Sequence, residues 1–216
     1  FGIHEQDLIA EEASSTGTSS SIMTNAGDSG NTDTNKVSYF TPAMGGFKAG
    51  FSTTDSGVNT TTDRTTMGAS YTMPIDGGSL VVKYNQGTTD GGTDTDHVNY
   101  GAQLTLGAMS VIVSTGTLED GNSDIEATGI GMKYDMGGGM YLAAASMEAE
   151  DDHADALSGT EKEKYTTTMG EVGYTIAPGL NAAVTYVDYE YKGGGQTDTA
   201  TNDSGNMTKF TIKAAF

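Results

Sequence analysis

From Val37 onward, apolar and polar residues alternate with a period of two, the signature of strands with one face toward an apolar phase and the other toward water. Phe210, Ile212, Ala214 and Phe216 share one face of the last segment, while Lys209, Thr211 and Lys213 share the other. Val98, Tyr100, Ala102, Leu104 and Leu106 oppose Asn99, Gly101, Gln103 and Thr105 in the same way. Leu80, Val82 and Tyr84 oppose Val81, Lys83 and Asn85, and Met67, Ala69, Tyr71 and Met73 oppose Gly68, Ser70 and Thr72. Phe47, Ala49 and Phe51 oppose Lys48, Gly50 and Ser52.

The links between these segments alternate strictly between two kinds. Tight, Gly- and Pro-rich links fall at 41–46, 74–78, 106–108, 135–139 and 177–179, where short hairpins need unusual backbone angles. Longer, Asp- and Gly-rich links fall at 55–63, 89–96, 119–124, 150–163 and 193–206. Five links of each kind predict eleven strands. Sorting short turns to one rim and long loops to the other is a property of transmembrane barrels, whereas a soluble sandwich has no reason for it. The predicted fold is therefore all-β, a transmembrane antiparallel β-barrel occupying residues 37–216. Residues 1–36 do not alternate: 3–13 is acidic with a weak helical pattern, and 14–35 has the composition of a loop.

Composition alone would suggest otherwise. An apolar fraction of 35% and a net charge of −19 fall in the range of disordered chains. The 11 Tyr, 6 Phe and 11 Met argue against disorder, because they are spaced in register with the alternation. Alternating strands also lower the mean hydropathy of a membrane barrel, so low hydrophobicity does not exclude one. No run of about 18 apolar residues exists, so no transmembrane helix is expected. The chain has no cysteine, which removes disulfide and thiolate chemistry. Such acidity makes nucleic acid an unfavourable partner, since phosphate would be repelled. The sequence opens at Phe1 without an initiator Met or apolar leader, so a processed or truncated product is expected.

Particular residues carry a family resemblance. Lys36-Val37-Ser38-Tyr39-Phe40-Thr41-Pro42, followed by Gly45-Gly46-Phe47-Lys48-Ala49-Gly50-Phe51-Ser52, resembles the hairpin that follows the constriction loop in Gram-negative general porins of the alphaproteobacterial type. Ala43 stands where many relatives carry Arg. Phe216, closing an alternating strand, resembles the C-terminal signal for barrel assembly, and the acidic stretch before the hairpin resembles the loop that folds into the pore. The resemblance implies a passive channel for small polar solutes in the bacterial outer membrane, in contact with lipid and lipopolysaccharide and assembled as a homotrimer. It also implies that the eleven strands are the sixth to sixteenth of a sixteen-stranded barrel, the alternative being a complete twelve-stranded barrel with a short first strand before Glu5.

Candidate site residues follow from charge. Glu5, Asp7, Glu11 and Glu12 are expected at the constriction. Lys48, Lys83, Lys133, Lys209 and Lys213 fall on the predicted water face, where they would line the lumen and could oppose those acids. Strand lysines also avoid lipid for a simpler reason, because burial at the midplane costs about 2–4 kcal/mol. Overall acidity points to a weak cation preference. Asp90, Asp94 and Asp96, together with Asp151 and Asp152, place carboxylates close enough along the chain to suggest Ca2+ on external loops, although neither group has EF-hand spacing. No other cofactor is expected. Tyr71, Tyr84, Tyr134, Tyr174, Tyr186 and Phe216 are expected in an aromatic girdle at the membrane interface, with Tyr189 and Tyr191 beyond it toward the outer rim. His4, His97 and His153 lie in separate segments without metal-ligand spacing, and no nucleophile elbow occurs, so no enzyme is expected. The competing reading is a secreted acidic adhesin or surface-layer module binding calcium or carbohydrate, which would bury Phe210, Ile212 and Phe216 in a sandwich core.

Overall fold

The structure is a computed structural model that describes residues 35–55, 63–90, 94–119, 124–152, 163–192 and 202–214. It contains eleven strands: β1 (Asn35–Phe40), β2 (Phe47–Asp55), β3 (Asp63–Ile75), β4 (Gly78–Asp90), β5 (Thr95–Leu106), β6 (Met109–Glu119), β7 (Asp124–Gly137), β8 (Met140–Asp151), β9 (Glu163–Ala177), β10 (Leu180–Lys192) and β11 (Asp203–Ala214). They form one sheet in strict chain order, each strand antiparallel to the next. β3 to β11 run 11–15 residues, at or above the roughly 9–11 that a tilted strand needs to cross a membrane.

Local chemistry explains the tight rim. Asp76-Gly77, Gly107-Ala108, Gly138-Gly139 and Pro178-Gly179 are two-residue connections between paired strands. Gly77 at φ 75° and Gly107 at φ 54° occupy the left-handed region that such turns demand and that a Cβ disfavours. The link from β1 to β2 is held by a bridge between Met44 and Phe47. The other five connections pass through residues 56–62, 91–93, 120–123, 153–162 and 193–201, which lie outside the described residues. The expected alternation of short and long links thus matches the order of the strands.

Burial is inverted relative to a soluble protein. Phe210 and Ile212 are 78% and 76% exposed, and Val82, Tyr100, Ile130, Leu142, Val172 and Tyr186 are exposed as well. The register aligns these residues on one parity of the sheet. Ile125 at 2% and Ala149 at 0% belong to the other parity, with Leu118, Tyr165, Met169 and Val187. Curvature produces this split, because side chains crowd on the concave side and splay on the convex side. The convex, outer face is the apolar one. An adhesin sandwich would bury Phe210 and Ile212, and here they are the most exposed large hydrophobics among the described residues.

Candidate functional site

The inner wall has two halves, set by which side chains the register brings side by side. Toward the long-loop rim it is apolar and aromatic. Tyr165, Met169 and Val187 form one cluster; Leu118, Ile125, Ala127 and Ala149 form another. Tyr191 packs against both. The rings of Tyr165 and Tyr189 stack with centroids 6.4 Å apart, and the Tyr189 hydroxyl donates to Asp203 Oδ2 at 3.2 Å. Tyr189 and Tyr191 lie near the outer rim as expected, and on the inner face. They are odd-numbered on β10 while Tyr186 is even, so the pleat sends them the opposite way.

Toward the short-turn rim the wall is charged. Pairing runs Lys133–Ala143–Glu171–Thr185–Lys209 across β7 to β11, one row perpendicular to the strands. The next row runs Asp135–Tyr141–Gly173–Ala183–Thr211, and beyond it lie Thr175, Asn181 and Lys213. The Tyr141 hydroxyl donates to Glu171 Oε1 at 2.7 Å, and Thr185 Oγ1 donates to Glu171 Oε2 at 2.6 Å. Lys133 Nζ stands 4.3 Å from the centroid of the Tyr141 ring, within cation–π range. Asp135 accepts the Gly137 N–H at 2.8 Å and so belongs to the turn. These groups surround an open concavity of about 530 Å³ that also takes in Lys209 and Lys213.

All five candidate lysines lie on the inner parity. Lys48 pairs Ser70, Lys83 pairs Gly101, and Lys133, Lys209 and Lys213 are as described. Arg64, not among the sequence candidates, shares that parity near the long-loop end of β3. Glu171 and Tyr141 were also missed, although the inward alternation around Gly170 and Gly173 was the available signal. Glu5, Asp7, Glu11, Glu12 and Phe216 lie outside the described residues.

The calcium candidates are not gathered into one site. Asp90 and Asp96 face outward at strand ends, and Asp94 precedes β5. Asp151 faces inward, its Oδ1 accepting the Asp124 N–H at 3.0 Å, while the Asp152 N–H donates to the Asp124 carbonyl at 3.0 Å. Among the described residues, no three His, Cys, Asp or Glu side chains converge where a metal ion could be held. On the outer face, Tyr71, Tyr134, Tyr174 and Tyr186 present exposed rings, and Tyr84 packs beside Tyr100 with centroids 5.2 Å apart. Above this band, Lys164 lies 2.7 Å from Glu148 and 3.1 Å from Glu150.

The chain matches the Gram-negative porin family model over residues 4–194. The chain belongs to the Gram-negative porin family. No curated protein sequence matches it. Among solved structures it is similar to the anion-selective porin from Comamonas acidovorans, with a TM-score of 0.65 at 16% identity, covering 84% of this chain and 59% of that one. It is also similar to OccAB4 of Acinetobacter baumannii, with a TM-score of 0.67 at 12% identity, covering 84% of this chain and 52% of that one. OpdL of Pseudomonas aeruginosa gives a TM-score of 0.67 at 15% identity, covering 82% of this chain and 57% of that one. The chain therefore spans somewhat over half the length of these porins. At such identities the likeness establishes the fold, an outer-membrane β-barrel wall, and with the family it places this porin in the bacterial outer membrane.

Proposed function

We propose that this porin forms part of the wall of a water-filled channel through which small hydrophilic solutes and ions diffuse passively. The observation that carries the reading is the opposition of faces. Phe210 and Ile212 stand exposed toward lipid, while Lys209, Thr211 and Lys213 between them turn inward. A channel needs that division, because the outer face must dissolve in hydrocarbon while the inner face keeps ions hydrated. The inner wall presents hydroxyls, amides and ammonium groups, with no nucleophile–base pair among the motifs of the chain, which favours a channel over an enzyme.

In this reading the acidic segment with Glu5, Asp7, Glu11 and Glu12 narrows the pore opposite the lysine wall. The porin assembles as a homotrimer, and its outer rim meets lipopolysaccharide. The test is single-channel conductance of the full protein in a planar lipid bilayer. Discrete, long-lived openings with ohmic current are expected. A protein that stays folded and monomeric in buffer without detergent would sink the reading.

A further inference from the structure

Total charge and local charge point in opposite directions in this porin. Much of its acidity lies away from the inner wall: Asp63, Asp90, Asp96, Glu119, Glu126 and Asp188 occupy the outward parity. Among the described residues away from the long-loop rim, the inner wall carries five lysines against two carboxylates, Glu171 and Asp135. Both carboxylates are engaged by the wall itself. Glu171 accepts one hydrogen bond on each oxygen, from Tyr141 and Thr185, and Asp135 caps its own turn.

We propose that the concavity between Lys133 and Lys209 is a binding station for small oxyanions, carboxylates and phosphate, which gives the channel an anion preference despite its net charge of −19. The inference rests on the reading of the inner face as a water-filled lumen. Lys133 and Lys209 share one cross-strand row, four strands apart. At about 4.8 Å per strand their backbones are separated by about 19 Å along the sheet. Ala143 and Thr185, next to them in the row, are short, so neither blocks a lysine stem leaning toward the middle.

At that middle sits Glu171, tied down by Tyr141, whose ring also carries the Lys133 ammonium on its face. The station is thus a pair of cations flanking a floor where the Glu171 carboxylate, still charged, has each oxygen occupied by a hydroxyl donor. Lys213 adds a third ammonium at its margin, and the Thr175 hydroxyl donates to Asn181 Oδ1 at 2.9 Å beside it. Ammonium groups recognise oxyanions through short, charge-assisted hydrogen bonds. A cation entering the same space meets a net positive wall and is repelled.

The experiment is the reversal potential of the full protein in planar bilayers under a KCl gradient, followed by titration of inorganic phosphate. Expected are a reversal potential displaced toward that of chloride and a chloride current reduced by millimolar phosphate. Lys133→Gln with Lys209→Gln should weaken the phosphate effect by about tenfold, the equivalent of one good charged contact. The Arg pair at the same positions should retain it, and Lys213→Gln alone should give a smaller change in the same direction. Open channels with a cation-selective reversal, or a phosphate effect equal in wild type and the Gln pair, would overturn the station while leaving the channel reading intact. Inserted protein without any conductance would overturn the channel reading, and the station with it.

Discussion

The ring of Tyr141 lies over the backbone of Gly173, so close that a Cβ on the glycine would stand 2.0 Å from the ring's Cζ. A flat ring there brings its hydroxyl to Glu171 and offers its face to Lys133. Gly173→Ala must therefore lift the ring or shift a strand. The expected cost is about 1–3 kcal/mol, as for other overpacked sites, read as a lower urea midpoint of the folded form in lipid vesicles. Tyr141→Ala should restore most of it in the double variant, because the two changes share one contact. Additive losses would show that the ring and the glycine are independent.

The opposition of faces gives a paired test on neighbouring residues. Val172 is exposed on the outer face, and Glu171, next to it, faces inward. Val172→Arg should destabilise the inserted protein by about 2–4 kcal/mol if it lies near the midplane. A cation introduced on the inner parity at Ala143 or Ala183 should cost far less, since water solvates it. Equal costs on the two faces, measured by urea titration in vesicles, would contradict the assignment of lumen and lipid sides.

Ala149 is fully buried on the inner wall, beside Ile125 at 2% exposure and under Tyr191. Ala149→Leu should destabilise by about 1–3 kcal/mol through overpacking. Ile125→Val should cost about 0.5–1.5 kcal/mol through the lost methyl group. Thermal unfolding followed by circular dichroism in detergent would read both. A neutral Ala149→Leu would mean that the inner wall near the outer rim is loosely filled.

Much of this fold was legible because its rules are local. The period of two, the glycines at the short turns and the sorting of link lengths gave all eleven strands and the parity of every candidate lysine. What sequence could not supply is the sideways alignment of strands. Lys133 and Lys209 are 76 residues apart, and only the register through Ala143, Glu171 and Thr185 places them in one row. The face of Tyr189 was open to the same local rule, since it is odd-numbered on β10 whereas Tyr186 is even. Net charge is a poor guide to the lumen for a related reason, since a sum over the chain does not record which face a carboxylate is on.

Three acidic residues stand in one cross-strand row at the outer rim. Glu119 pairs Asp96 on one side and Asp124 on the other. Like charges directly opposite destabilise a sheet, and salt screens them. Glu119→Gln should thus stabilise the porin by about 0.2–1 kcal/mol at low ionic strength, with the gain shrinking as salt is raised. A gain that persists in molar salt would point to packing rather than repulsion.

The unbroken chain order of the sheet, β1 beside β2 through to β10 beside β11, bears on how the polypeptide can be divided. Among the described residues, each strand pairs only with strands adjacent to it in sequence, and none of these pairings depends on a distant crossover. A backbone cut between β8 and β9 would therefore separate two meanders that are each internally complete and share a single seam, the register from Met140–Tyr174 to Asp151–Glu163. Two such fragments carry, in their facing edges, the instructions for finding each other in a membrane.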